Sequence, residues 1–440
     1  MNLLHCLGRE AGLFIRTRSS VAALALLCVL ASIAIGLGHA EVQRQEASIE
    51  RVRALDVTER ESALAGAPDF GDAAYAAYHL TWNPPSEMAF TAMGQRDIAP
   101  WMLRVRALAL EGQIHETDSF NPELSLTGRF DYAFVMAFLL PLFAIVVMYD
   151  MVSAEREAGR IPLLVASAGN VRRLWWQRTA ARVLGLLLAC LVPLWLGGLI
   201  IGTSASALLT ASAIVLVTVL VWTAVILVFS FRPWSSAVIA TSLTGVWLTV
   251  ALILPLGGKL LIDYLEPGID GAQIALLQRE TVNGAWDLPK EATMKPFFVT
   301  HPEWADTRPV TEPFHWKWYY AFQQRGDEVA AELSDAYRAA ITRRDELTGW
   351  VALLSPPVAV QRALQRLAGT DVQASLAYEQ RIRIFHEQLR RFYYPFLFNE
   401  APYGLESLKD LPRFEEVISS ADSDRDDVAQ TCKAAWCCGQ

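Results

Sequence analysis

The chain has 440 residues, 53% hydrophobic and 19% charged, with a mean hydropathy of +0.26, a balance that points to a membrane protein rather than a soluble one. A net charge of −8 leaves no basic surplus to neutralise phosphates, which argues against a nucleic-acid partner. The six cysteines form no even framework, since Cys28 and Cys190 lie in apolar runs and Cys432, Cys437 and Cys438 crowd together, so disulfide scaffolding is not expected.

In chain order, residues 1–18 carry Arg9, Arg16 and Arg18 among leucines and suit a cytoplasmic, interfacial segment on membrane lipid. Residues 19–40 hold no Asp, Glu, Lys or Arg, and about 22 residues at 1.5 Å each make one span. Gly38-His39-Ala40 has the small-x-small pattern of a signal-peptidase site. The apolar run exceeds the roughly 7–15 residues of a signal core, so an uncleaved span is the reading adopted; either way Glu41 emerges on the far side. Residues 41–130 form a first hydrophilic domain. It opens with a charged helix-like run over 41–61, breaks at Trp82-Asn83-Pro84-Pro85, offers a candidate helix over 98–111 and turns at Asn121-Pro122.

Residues 131–150 are the second span, with 18 uncharged positions between Asp131 and Asp150 and a tolerable Pro141. Residues 151–182 form an Arg-rich loop. Residues 183–258 contain a single charge, Arg232, over about 75 positions, enough for spans three to five, divided at Gly202-Thr203-Ser204-Ala205-Ser206 and Phe231-Arg232-Pro233-Trp234. Arg232 belongs in a loop, because a bilayer-centre position would cost about 2.5–3.5 kcal/mol. Residues 259–418 form a second hydrophilic domain. Its stretch 259–313 reads as irregular, and a helix from His315 carries Val329, Leu333, Tyr337 and Ile341 on one face until Ser355-Pro356-Pro357. A second amphipathic helix bears Ile382, Phe385, Leu389 and Phe392 and closes at Pro395. Residues 350–367 are apolar on one side, for the membrane surface or, as preferred here, a buried helix seam. Residues 419–440 differ in composition from everything before them.

The short segments rich in Arg (Arg9, Arg16 and Arg18; Arg156 to Arg182; Arg232) all fall on one side of the spans, which is therefore cytoplasmic, and both hydrophilic domains lie outside. The fold class is all-α and polytopic, five spans with two mainly helical extracytoplasmic domains. No phosphate-binding loop is present: Gly257-Gly258-Lys259 is followed by Leu260, where a hydroxyl for magnesium is needed. There is no H-E-x-x-H and no C-x-x-C, and His301 and His315 are too separated to read as metal ligands. The third, fourth and fifth spans hold no ionisable residue in their interiors, so a proton relay is not expected and energy must enter from elsewhere.

The stretch Glu155-Arg156-Glu157-Ala158-Gly159-Arg160-Ile161-Pro162-Leu163-Leu164-Val165-Ala166-Ser167-Ala168 resembles the cytoplasmic E-R-E-x-G segment that follows the second span of ABC-2-type permeases. The order of spans and large external domains is similar to one subgroup of that family. The resemblance implies an inner-membrane permease subunit of an ATP-binding-cassette transporter, an exporter by analogy, working as a homodimer or beside a similar subunit. A cytoplasmic ATPase subunit would hold the ATP and magnesium, with no cofactor and no enzyme activity in this chain. The segment 151–178 would then contain a coupling helix. Glu155, Arg156 and Glu157 would make charged contacts with the ATPase, Gly159 would permit a turn, and Leu163 and Leu164 would anchor it. The family pattern has a sixth span, and no apolar run after Leu261 is long enough to supply one; the tail 419–440 reads as truncated or frame-altered. The alternative is a membrane-anchored sensor or assembly factor that binds a partner through its external helices.

Overall fold

The computed structural model describes Gly12 and residues 17–116, 130–168 and 171–417. Most of the N-terminal segment 1–18, the turn at Asn121-Pro122 and the tail 419–440 lie outside those residues. The first long element, α1 (Arg18–Gly66), is one unbroken helix of 49 residues. At 1.5 Å per residue it is about 73 Å long, more than twice the thickness of a hydrocarbon layer. The charged run 41–61 is its second half rather than a separate helix, because 39–65 is rich in Ala, Glu, Arg and Leu and contains neither Gly nor Pro. Gly66 and Pro68 end it.

A short helix α2 (Phe70–Ala76) follows, capped by the Asp69 carboxylate, which accepts from Asp72 N–H. Strand β1 (His79–Trp82) then pairs antiparallel with β2 (Met102–Val105), His79 opposite Val105 and Trp82 opposite Met102. The helix expected over 98–111 is therefore replaced by a strand and the short helix α3 (Leu110–His115). Leu103-Arg104-Val105-Arg106 alternates apolar and charged residues, and that period of two selects the strand. Asp56, far along α1, holds this ribbon: its carboxylate accepts from Leu80 N–H at 3.3 Å and from Arg104 Nε at 3.2 Å.

The apolar bundle consists of α1, α4 (Tyr132–Glu157), α6 (Val171–Ile201), α7 (Ala205–Ser230) and α8 (Ser236–Leu265), five helices long and apolar enough to cross a membrane. Between α4 and α6 lies α5 (Ile161–Ala168). The sequence divisions at 202–206 and 231–234 coincide with the ends of α6 and α7. The loop expected over 151–182 is mostly helical, since α6 starts at Val171 and its first three turns precede the apolar run. Leu27, Leu140, Leu194, Val215, Trp222 and Leu243 meet in its core. α4 and α8 each widen into a π turn, Val135–Leu139 and Thr249–Ile253, and Trp247 Nε1 donates to the Phe138 carbonyl at 3.2 Å between them.

The two hydrophilic segments fold into one body, not two domains. Ile49, Leu80 and Trp82 share a core with Tyr378, Phe385 and Phe414. Leu64 and Phe70 share another with Tyr320, Phe322, Tyr393 and Phe398. The stretch expected to be irregular contains α9 (Gly271–Gly284) and α10 (Lys290–Thr300), started by the Asp270 cap and by Pro289. After α11 (Trp316–Leu354) and α12 (Pro356–Leu367), α13 (Val372–Phe398) runs past Pro395 for another turn instead of closing there. The body sits at the end of the bundle where α6 turns into α7: the Glu87 carboxylate accepts from the backbone and hydroxyl of Ser204, both at 2.7 Å.

α11 and α12 form a helical hairpin whose tip enters that end of the bundle. Ser355 Oγ donates to the Val250 carbonyl in the α8 π turn at 2.6 Å, where the widened turn frees a carbonyl. Val360, Leu364 and Ala368 join the bundle core. Residues 350–367 are thus a seam on one face, while Trp350 and Leu353 on the other are 69% and 74% exposed.

Gly38 shows how closely body and bundle fit: a Cβ there would lie 2.0 Å from the Phe90 carbonyl oxygen. Gly38→Val is expected to destabilise the protein by about 1–3 kcal/mol through overpacking. Gly36→Ala, with nothing within 4 Å, should not. Melting temperatures of both variants in mild detergent check this.

Candidate functional site

The turn between α4 and α6 is built around Gly159, whose φ of +66° is a left-handed conformation that a Cβ would strain. Gly159 N–H donates to the Arg156 carbonyl at 3.0 Å and Arg160 N–H to the Glu155 carbonyl at 2.9 Å, which closes the last turn of α4. Helix α5 then starts at Ile161, where Pro162 is tolerated near the N-terminus.

The three charges before Gly159 are engaged by other parts of the protein. Glu155 accepts from Arg160 Nε at 2.6 Å and from Arg178 Nη1 at 3.0 Å, which ties it to α6. Arg156 donates to the carbonyls of Arg232 and Trp234 at 2.7 and 3.2 Å, which ties it to the connection between α7 and α8. Glu157 accepts from Ser236 N–H at 2.7 Å and from its hydroxyl at 3.1 Å, at the N-terminus of α8, where a carboxylate also complements the helix dipole. Ser236 Oγ also lies 2.8 Å from Ser153 Oγ, within hydrogen-bond distance. The sequence reading turned these charges toward a soluble partner; the structure spends them on mounting the turn, because unpaired backbone groups at the start of α8 need acceptors. Ser153, Arg178 and Ser236 complete the mount, and of these only Arg178, at the end of the 151–178 segment, was marked in the sequence. The Ser235-Ser236 pair after Pro233 is a helix-start signal that would have found part of it.

The apolar members stand outward. Leu163 is 68% exposed, Val165 is exposed and Leu164 half-buried, and on α6 Trp176 is 65% exposed. Beside Trp176 an open cavity of about 530 Å³ is lined by Arg172, Trp175, Thr179, Leu227 and Phe231. A load on α5 would therefore reach α4 through the Gly159 turn, α6 through Glu155–Arg178 and α8 through Glu157–Ser236.

The polar body holds a larger cleft, about 730 Å³, lined by residues from α3, α10, α11 and α13. Buried Glu111 accepts from Arg383 Nε and Nη2 at 2.7 and 2.9 Å and from Ser334 Oγ at 2.9 Å. Asp327 accepts from Leu110 N–H and from Arg390 Nη2, both at 2.7 Å, so it caps α3 and pairs a buried arginine at once. Burial would raise the Glu111 carboxyl, but the hydrogen bonds from Arg383, with His115 Nε2 3.4 Å away and the Ser334 hydroxyl, outweigh it and hold it well below the usual carboxylate range. These residues carry no sequence signal, since Arg383, Glu387 and Arg390 on an amphipathic helix read as a solvated face. His301 and His315 have structural roles. His301 stacks on Phe297 at 4.5 Å between ring centres, and His315 Nδ1 accepts from Lys317 N–H at 3.2 Å to start α11.

Residues 272–416, about a third of the chain and most of the cleft wall, match the family described as a domain of unknown function, DUF3526. No curated protein and no solved structure matches the chain.

Proposed function

We propose that this chain is the membrane-spanning permease subunit of an ATP-binding-cassette transporter, an exporter by analogy, set in the inner membrane with its N-terminus cytoplasmic. The carrying observation is the α4–α6 turn. It is fixed by Glu155, Arg156 and Glu157 to three parts of the bundle, at the end away from the polar body, and it presents Leu163 and Trp176 outward. A surface that is apolar outside and rigidly mounted inside suits reception of a stroke from a cytoplasmic ATPase subunit, which would hold ATP and magnesium. Arg160, Arg172, Arg173 and Arg178 on that side support its cytoplasmic placement, and with it an extracytoplasmic body. A second copy, or a similar permease subunit, would complete the translocation path; no substrate is assigned. The charged cleft of the body favours a second reading, a membrane-anchored sensor or assembly factor that holds a partner there.

Purification from its native membrane in mild detergent separates the two. A nucleotide-binding subunit is expected to accompany the wild type and to be lost from Leu163→Asp combined with Trp176→Ser, with the melting temperature unchanged. Glu155→Ala combined with Glu157→Ala is expected to keep the ATPase bound but to sever its hydrolysis from any response of the bundle. A complex indifferent to Leu163 and Trp176 would overturn the assignment, and a companion lost only when the cleft is altered would establish the sensor reading.

A further inference from the structure

The hairpin of α11 and α12 leaves a cleft of about 420 Å³ against the outer end of α8. Its wall is split by chemistry. Pro255, Ile262, Val351 and Val358 supply apolar surface, while Lys259, Arg344 and Arg362 supply three cations against the single carboxylate of Asp345. Arg362 is held in place by Asp345, its Nη2 donating at 3.2 Å, and Arg344 donates to the Glu266 carbonyl at 2.6 Å. Arg344 and Lys259 both also pair with Asp263, which is outside the cleft wall, and Lys259 stays largely exposed.

Depth along α8 places this cleft. Counting from Ser236 at 1.5 Å per residue, Pro255 lies about 29 Å and Lys259 about 35 Å along the helix, which brackets the rim of a hydrocarbon layer about 30 Å thick. Below and beside the cleft, Leu252, Ile253, Leu256, Leu260 and Leu261 are exposed on α8, and Trp350 and Leu353 are exposed on the hairpin at the same level. The apolar wall is thus continuous with the lipid-facing side of the bundle, and the cations stand at headgroup height, where Lys reaches upward and Trp favours the boundary.

We propose that this cleft binds an anionic phospholipid of the outer leaflet, its phosphate held by Lys259 and Arg344 and its acyl chains laid along α8. The bound lipid would splint the hairpin against the α8 π turn that Ser355 engages. The inference rests on membrane embedding and, for the leaflet, on the orientation proposed above, and stands whether or not an ATPase partner exists.

The test uses the full chain, stripped of lipid in mild detergent and offered phosphatidylglycerol, phosphatidylcholine or soluble glycerol 3-phosphate. Native mass spectrometry reads the adducts and thermal unfolding reads the splint. Phosphatidylglycerol should be retained in preference to phosphatidylcholine and should raise the melting temperature, while glycerol 3-phosphate should do neither. Lys259→Gln should weaken phosphatidylglycerol retention roughly tenfold, the loss of one charge-assisted contact, without changing the lipid-free melting temperature. Val358→Trp, which fills the apolar side, should reduce retention while leaving the charges intact. Equal retention of both lipids, an equal effect of glycerol 3-phosphate, or indifference to both substitutions would overturn the proposal.

Discussion

Glu111→Ala is expected to cost the polar body about 3–5 kcal/mol, because it strands a buried guanidinium. Glu111 and Arg383 are both largely buried and share two hydrogen bonds, and the Ser334 hydroxyl donates a third to the carboxylate. Arg383 would retain only Glu379, at 3.4 Å, and Ser334, at the same distance. Three separate stretches of sequence meet at this pair, one between the first and second bundle helices and two after the last, so its loss would release α3 from α11 and α13 together. Removing both charges should be milder: in Glu111→Gln combined with Arg383→Met the buried pair goes together, only the more exposed Glu379 loses a partner, and similar volume is kept. Thermal unfolding followed by tryptophan fluorescence, over both single variants and the double, gives the interaction energy directly. A Glu111→Ala protein that melts with the wild type would sink this account.

How much of this was readable beforehand divides along a physical line. The bundle was legible because its signal is local: an uncharged run of spanning length is visible without knowing its neighbours, and Gly202, Pro233 and Asp131 punctuate it. Gly159 was legible for the same reason. The body was not. Its two segments are apart in sequence, and what unites them is Leu64 and Phe70 meeting Tyr393 and Phe398, which no window contains. The β ribbon was missed because its strands are four residues long, and the alternation of Leu103 to Arg106 is too brief to outweigh a helical reading of 98–111. The direction of the Glu155–Glu157 charges was missed because composition gives charge but not aim. Only the chain folded back at Arg232 and Ser236 shows the backbone groups those charges satisfy.

Those same buried contacts make the body sensitive to mild acid. His79 and His386 are fully enclosed. His79 lies on β1, its ring edge-on to Phe385 at 6.0 Å, and burial, with Arg60 nearby, pushes it down to about 3. His386 donates from Nε2 to the Arg106 carbonyl at 3.0 Å, and burial, with Arg390 beside it, holds it well below the ordinary value. Both rings are neutral in the folded state at pH values where an unfolded chain, with a histidine pKa near 6.5, takes up protons. Stability from these two groups is therefore complete above pH about 6.5 and is lost as the pH falls toward their folded values. Each histidine contributes a slope of up to about 1.4 kcal/mol per pH unit between its unfolded and its folded value, and the two slopes add. Glu111 acts lower: its depressed carboxyl loses stability only as the pH drops below about 4.5, so the interval from 6.5 to 4.5 reports the histidines. Melting temperature in mild detergent should stay level from pH 8 to 7 and then fall steeply. His386→Gln, which can keep a donor for the Arg106 carbonyl, should remove about half of that slope whatever it does to stability at pH 8. A wild-type curve flat from pH 8 to 5 would mean that both rings take up protons in the folded body as readily as in the unfolded chain, and would overturn this account.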